Sequence, residues 1–88
     1  MRFTVVWLPA AQDRLAELWV DSSERHAVSL AANTIDRSLG QDPYAAGESR
    51  SGNERICIEL PLAALYRVIE ADMKVEILDV RTRRTRRT

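Results

Sequence analysis

The sequence predicts a small α+β domain in which a helical hairpin packs on a mostly antiparallel four-stranded sheet, in the order β-α-α-β-β-β. Short segments rich in β-branched and aromatic residues lie near both ends of the chain. Between them, two neighbouring stretches carry apolar residues at helical spacing. A run of helices beside a run of strands is typical of α+β domains, so the helices are expected to cover the sheet.

Size and composition predict one domain over residues 1–88. A chain of 88 residues with 45% apolar and 30% charged side chains is globular rather than disordered. Cys57 is the only cysteine, which excludes a disulfide framework and a cysteine-based metal cluster, and we expect it to be buried in a strand. The apolar stretch 3–11 is too short for a membrane span. We therefore expect a cytoplasmic protein without a cofactor or a metal.

The helical hairpin follows a first strand predicted over residues 2–7. Pro9 suits the first turn of a helix, and the apolar face of this helix consists of Ala11, Leu15, Leu18 and Trp19. Asp21 and Glu24 form a capping-box pattern that predicts the start of the second helix, and Gly40 predicts its end. The buried stripe of the second helix is predicted to be Val28, Ala31, Ala32, Ile35 and Leu39.

The remainder of the chain predicts a loop and three strands. Residues 40–54 contain all three glycines and are predicted to be the only long loop, a kind of segment that is usually functional or mobile. The next strand alternates, with Ile56, Ile58 and Leu60 on one face and Arg55, Cys57 and Glu59 on the other. Strands over 62–70 and 75–80 follow, and a turn separates them.

Charge is distributed unevenly along the chain. Five of the thirteen cationic residues lie in "RTRRTRRT" at 81–88, which leaves eight Lys/Arg against thirteen Asp/Glu, a formal charge of −5, in residues 1–80. Twelve of the thirteen cations are arginine, the side chain suited to bidentate binding of phosphate and carboxylate. This acidic body with a basic pole predicts an anionic partner.

Several short segments, taken in order, resemble one known family. They are "WLPAAQDRLAEL" after the first strand, "DPYAAGESR" at 42–50, the arginine that opens the second strand, "LYRV" after a proline, and "VEILDVRTRR" near the end. Together they resemble the RelE/ParE superfamily, the toxins of type II toxin–antitoxin modules, over nearly the whole chain. The resemblance implies a growth-inhibiting, plasmid-stabilising bacterial toxin that a cognate antitoxin neutralises and that reaches operator DNA only through that antitoxin.

The resemblance implies one of two activities. RelE-like members cut mRNA in the ribosomal A site, whereas ParE-like members poison DNA gyrase and are not nucleases. In the nuclease pattern an arginine precedes the tyrosine of the third strand by three residues, and here Ala63 occupies that position. Arg83 falls on the arginine that follows the last strand, but the chain stops at Thr88, about where a terminal tyrosine is expected. His26, on the second helix, is expected to be too far away to substitute.

The candidate target-facing cations follow from this comparison. An anion-binding surface is predicted from Arg50, Arg55, Arg67, Arg81, Arg83 and Arg84. Arg55 and Arg67 flank apolar strand positions, so each is expected to project from an open face of the sheet, or simply to solvate it. If the protein is an enzyme, the catalytic candidates are Arg55, Arg67 and Arg83, because a cleavage transition state gains negative charge.

The resemblance also predicts an apolar groove beside the helical hairpin, covered by a helix and an extended segment of the antitoxin. Trp7, Leu15, Trp19 and Tyr66 are the candidate lining residues, and ordinary core packing is the alternative for each.

Three hypotheses remain open from the sequence. The incomplete nuclease set favours a ParE-like toxin with a gyrase-type target. The first alternative is a RelE-like mRNA endonuclease, and the second is a non-toxic protein-interaction domain of the same fold.

Overall fold

A computed structural model describes residues 2–83. Its elements are β1 Thr4–Trp7, α1 Pro9–Asp21, α2 Arg25–Gln41, α3 Pro43–Ala46, β2 Glu48–Ser51, β3 Glu54–Glu59, β4 Leu62–Ile69 and β5 Lys74–Thr82, with a short 3₁₀ turn between β4 and β5. The sheet order is β1-β5-β4-β3-β2, in which β1 runs parallel to β5 and all other neighbours are antiparallel. The predicted α+β class with a mostly antiparallel sheet is confirmed.

The strand count differs from the prediction, because the segment expected to be a loop contains α3 and β2. The Asp42 carboxylate accepts hydrogen bonds from the backbone N–H groups of Tyr44 and Ala45, and Pro43 occupies the first turn of α3. A tight turn at Gly52, whose φ of 59° suits glycine, then joins β2 to β3. The sheet therefore has five strands rather than four.

The helix ends also differ from the sequence prediction. Asp21 is the last residue of α1 rather than the cap of α2, and the side chain of Glu24, the residue at the α2 N-cap, makes no capping hydrogen bond. Instead the Arg25 side chain donates hydrogen bonds to the carbonyls of Trp19 and Val20 at the end of α1. Helix α2 continues past Gly40 to Gln41. None of the helices described within residues 2–83 is long and apolar enough to cross a membrane.

The core lies between the helices and one face of the sheet, called here the covered face. Cross-strand partners point to the same face, so the fully buried Tyr66 and Ile77 mark this face on β4 and β5. The predicted apolar stripe of α2 is buried against it. Cys57 is buried on it, as predicted, since it pairs with Ala64. The other side of the sheet carries no helix among the described elements and is called the open face.

Candidate functional site

An apolar groove runs between α1 and α2, beside the end of β1. Its volume is about 630 Å³, and its lining consists of Trp7, Gln12, Leu15, Ala16, Trp19, Val20, Val28, Ser29, Ala32, Asn33 and Asp36. The α1 wall follows the i, i+3, i+4, i+7 face of the helix. Apart from Val28, the α2 wall is built from small and polar residues, which leaves room between the two helices. Trp19 is 41% exposed and Val20 is 58% exposed as a result.

Two tryptophans fix the polar contacts of this groove. Trp7 Nε1 donates to Asp36 Oδ1 at 3.1 Å, and Trp19 Nε1 donates to Ser29 Oγ at 3.1 Å. The Arg25 guanidinium lies 4.8 Å from the centre of the Trp19 ring, a cation–π contact. Each indole therefore has its N–H satisfied while its apolar ring remains available to the groove.

Of the four residues predicted for this surface, the structure brings Trp7, Leu15 and Trp19 together and places Tyr66 elsewhere. Tyr66 is fully buried on the covered face, and its hydroxyl donates to the Pro43 carbonyl at 2.5 Å. Burial raises the pKa of Tyr66, so the hydroxyl stays protonated and remains a donor. Tyr66 anchors the α3 segment and does not line the groove.

Arg55 does not project from the open face, contrary to the sequence prediction. It pairs across the sheet with Tyr66 on the covered face, where its Nη2 donates to the carbonyls of Tyr44 at 2.8 Å and Gly47 at 2.9 Å. Its guanidinium also lies 5.5 Å from the centre of the Tyr44 ring. These contacts hold the chain between α3 and β2. Arg55 is thus a structural residue in this geometry, because its Nη2 binds two backbone oxygens and its Nε is buried without a hydrogen-bond partner in the described part of the chain.

Arg67 does lie on the open face, but its charge is already paired. Its Nε and Nη2 donate to Glu76 Oε1 at 2.8 and 2.7 Å, and Lys74 Nζ lies 3.5 Å from Glu76 Oε2. The hydrogen bond from Arg67 lowers the pKa of Glu76. This carboxylate therefore stays ionised and is a poor proton donor or general base.

The other predicted cations are spread over the end of β5 and the opposite edge strand. Arg81 pairs across the sheet with Ala63 on the open face, and its side chain is 80% exposed. Arg83 is exposed, and its backbone N–H donates to the Pro61 carbonyl. Arg50 is exposed on β2, at the far edge of the sheet, and Arg84 lies outside the described residues. The described cations do not converge on one phosphate-sized point.

The remaining chemistry of the open face is limited. His26 is exposed on the first turn of α2, on the other side of the sheet, so it does not reach Arg67 or Arg81. Within residues 2–83, no group of three or more His, Cys, Asp or Glu side chains is arranged to hold a metal ion.

Several side-chain contacts around the predicted sites are not predicted from the sequence. Tyr44 OH donates to Glu70 Oε1 at 2.8 Å, which ties α3 to the turn between β4 and β5 and raises the pKa of Tyr44. Asp36 and Ser29, the partners of the two tryptophans, are polar positions on α2 without a distinguishing pattern. Their spacing of seven residues, two helical turns, places them on one face and is the only hint the sequence offers.

The chain is similar in structure to several solved proteins, although its sequence matches no family model. No family model matches the sequence, and no curated protein matches it significantly. Among solved structures, a chain of the toxin–antitoxin complex RelBE2 from Mycobacterium tuberculosis is similar with a TM-score of 0.79 and 20% identity, covering 94% of this chain and 93% of that chain. A chain of the chromosomal ParDE system from P. aeruginosa has a TM-score of 0.72 and 17% identity, with coverage of 94% and 98%.

A third structure agrees with these two. A chain of the intact E. coli RelBE toxin–antitoxin complex has a TM-score of 0.62 and 17% identity, and the match covers 98% of this chain and 100% of that chain. The protein therefore has the RelE/ParE fold, as the sequence resemblance predicts. The similar structures include both RelBE and ParDE complexes, so the fold does not distinguish between the two branches.

Proposed function

We propose that this protein is the toxin component of a type II toxin–antitoxin module, a cytoplasmic growth inhibitor that a cognate antitoxin neutralises. The observation that carries the proposal is the shared fold across 94% of the chain with proteins solved as RelBE and ParDE complexes. The apolar groove between α1 and α2 adds support, because a small protein that exposes a Trp-lined trough has a surface suited to a partner.

The antitoxin segment expected in this groove is an amphipathic helix. The groove presents apolar rings along one side and small α2 residues along the other, a shape into which apolar side chains at i, i+3/i+4 and i+7 fit. Trp19 is the expected anchor, because it is large, partly exposed and already hydrogen-bonded to Ser29. Trp7 and Leu15 form the floor and wall beside it.

Trp19→Ala is expected to weaken antitoxin binding by about 2 kcal/mol or more, the loss typical of an interface anchor. The matched control is Leu30→Ala, which truncates an α2 residue that is 53% exposed and does not line the groove. Binding would be measured by isothermal titration against the product of a short acidic reading frame adjacent to the gene. If both variants bind the antitoxin as tightly as the wild type does, the groove is not the antitoxin-binding surface.

For the target, the site supports a ParE-like, gyrase-type inhibitor over a nuclease. Arg55 is bound to backbone carbonyls, Arg67 is paired with Glu76, and Ala63 stands where the nuclease pattern has an arginine. A phosphoryl-transfer transition state needs free cations and a group that transfers a proton. Two of the three predicted catalytic arginines are engaged in other contacts here.

One observation favours the alternative of a RelE-like mRNA endonuclease. Arg81 and Arg83 are exposed at the end of β5, and Arg83 matches the arginine that follows the last strand in the nuclease branch. Exposed arginines of this kind bind phosphate but do not by themselves cleave it.

The test is tightly induced expression in a bacterium, with amino-acid and thymidine incorporation followed over the first minutes. Arrest of DNA synthesis first is the expected result for a gyrase-type target, whereas arrest of protein synthesis first would support the endonuclease. In the latter case Arg83→Ala should reduce the activity on the order of 10²-fold. If growth is undisturbed although soluble protein is present, the second alternative, a non-toxic protein-interaction domain, is supported instead.

A further inference from the structure

The open face of β3, β4 and β5 has an apolar half whose composition follows from the strand register. Ile58 pairs with Ala63, and Ile56 pairs with Leu65, so all four side chains lie on the open face. We call these four residues the open-face patch. Ile58 is 44% exposed, which is unusual for a large aliphatic side chain in the interior of a strand.

The charges that share the open face cancel one another beside this patch. The next row across the sheet holds Glu54, Arg67 and Glu76, and Lys74 follows in the row after it. Arg67 and Lys74 both contact the Glu76 carboxylate. A surface with paired cations attracts a polyanion weakly, because nucleic-acid affinity depends on unneutralised Lys and Arg.

Arg81 is an exposed cation at the border of the patch. Arg81 lies across Ala63 from Ile58, in the same row of the sheet. Its side chain is 80% exposed, and its Nε is 3.5 Å from Asp79 Oδ2, a long contact of the exposed kind that contributes little. Asp79 lies across Leu65 in the adjoining row, so a partner carboxylate would meet the Arg81 guanidinium at the end of the patch formed by Ile58 and Ala63.

We propose that the open-face patch and Arg81 form the surface that binds the growth target, and that the target is a protein segment carrying apolar side chains beside a carboxylate. This inference rests on the proposed toxin function and specifies the target's chemistry. Apolar burial at Ile58 supplies affinity, and the charge-assisted hydrogen bond to Arg81 fixes the position of the segment. The apolar groove proposed to bind the antitoxin lies on the other side of the sheet, between α1 and α2.

Two substitutions at one exposed position separate a protein target from a nucleic-acid target. Ile58→Asp and Ile58→Lys both replace the apolar side chain by a charge, but the charges have opposite sign. A protein target that buries Ile58 is lost with either variant, whereas an RNA or DNA target is weakened by the aspartate and retained or strengthened by the lysine. Because the side chain is 44% exposed, both variants are expected to fold.

The measurement is the inducer concentration that halves bacterial growth, with soluble protein and melting temperature recorded for every variant. Ile58→Asp and Ile58→Lys are each expected to raise that concentration by about tenfold or more, and Arg81→Glu by less. Leu30→Asp, on α2 and away from both surfaces, is the matched control and should inhibit growth as the wild type does. Ile58→Thr, which keeps the β-branched shape, should retain most of the inhibition.

Each other outcome has a defined meaning. If Ile58→Asp is fully toxic, the inference about the open-face patch is overturned but the proposed function is not. If Ile58→Lys is toxic while Ile58→Asp is not, the target is a nucleic acid, and the inference is again overturned without affecting the proposed function. Loss of inhibition in Leu30→Asp as well would show that the assay reports stability rather than docking, and would overturn the assignment to this face. A wild-type protein that leaves growth unchanged overturns the proposed function and the inference with it.

Discussion

On the covered face of the sheet Arg55 is the cross-strand neighbour of Tyr66, and on the open face Arg67 is the neighbour of Glu54 and Glu76. The two arginines lie on adjacent antiparallel strands and look equivalent in the sequence. Arg55 binds two backbone carbonyls and packs on the Tyr44 ring. Arg67 binds a carboxylate at a partly solvated surface, with its side chain 41% exposed.

The difference teaches that an arginine's role here depends on which face its strand register gives it. A guanidinium under the α3 segment donates to backbone carbonyl groups and becomes part of the fold. A guanidinium on the open face meets water and carboxylates, so it contributes little to stability and its net effect is to neutralise the surface.

The largest expected effect is at Tyr66, the centre of the covered face. Tyr66→Ala removes a fully buried ring and is expected to lower the free energy of unfolding by about 3–5 kcal/mol. Tyr66→Phe keeps the ring but leaves the Pro43 carbonyl without its donor, which is expected to cost about 1–3 kcal/mol. Urea titration followed by circular dichroism measures both. A Tyr66→Phe variant as stable as the wild type would show that the hydroxyl contact carries no stability.

The next effect compares the two arginines directly. Arg55→Met is expected to cost about 1–3 kcal/mol, because it leaves the carbonyls of Tyr44 and Gly47 without this donor. Arg67→Met is its matched control, with the same substitution one strand away, and is expected to cost below about 1 kcal/mol. Urea titrations of both variants provide the measurement. Equal losses would contradict the assignment of Arg55 to the fold and Arg67 to the surface.

The alternation of β3 was visible in the sequence, but the assignment of its two sides was not. Ile56, Ile58 and Leu60 form the more apolar set, yet the covered face is the one with Arg55 and Cys57. Period-two alternation defines two faces and leaves open which of them the helices cover. The apolar stripe of α2 was predicted residue by residue, because a single helical face packs on the sheet.

The sequence predicts the apolar residues of the groove but not their polar partners, and it does not predict the edge strand β2. Trp7, Leu15 and Trp19 were predicted to share a surface, and the structure brings them together around one groove. Their polar partners Asp36 and Ser29 depend on how the two helices cross, which local patterns do not encode. Strand β2 was missed because "ESRS" has weak strand propensity and forms only by pairing with β3.

The smallest expected effect concerns pH and again separates the faces. Burial raises the pKa of the Cys57 thiol on the covered face. The folded state keeps this thiol protonated, whereas the unfolded thiol ionises near a pKa of about 8.5. The contribution of this thiol to the free energy of unfolding is therefore fully present below that pH, and it is lost as the pH rises through the folded pKa. Melting temperatures measured from neutral pH to about pH 10 should decline for the wild type, and Cys57→Ala should flatten the first part of that decline.

The open face should respond at the opposite end of the pH scale. Because Arg67 lowers the pKa of Glu76, this pair contributes stability above the unfolded glutamate pKa of about 4.3, and the contribution is lost as the pH falls through the folded value. Glu76→Gln is the control, since it keeps the side-chain size and removes the titration. The contrast holds if Cys57→Ala changes only the alkaline limb and Glu76→Gln only the acidic limb. A Glu76→Gln variant that altered the alkaline limb would mean that the two faces are coupled through β4 and β5.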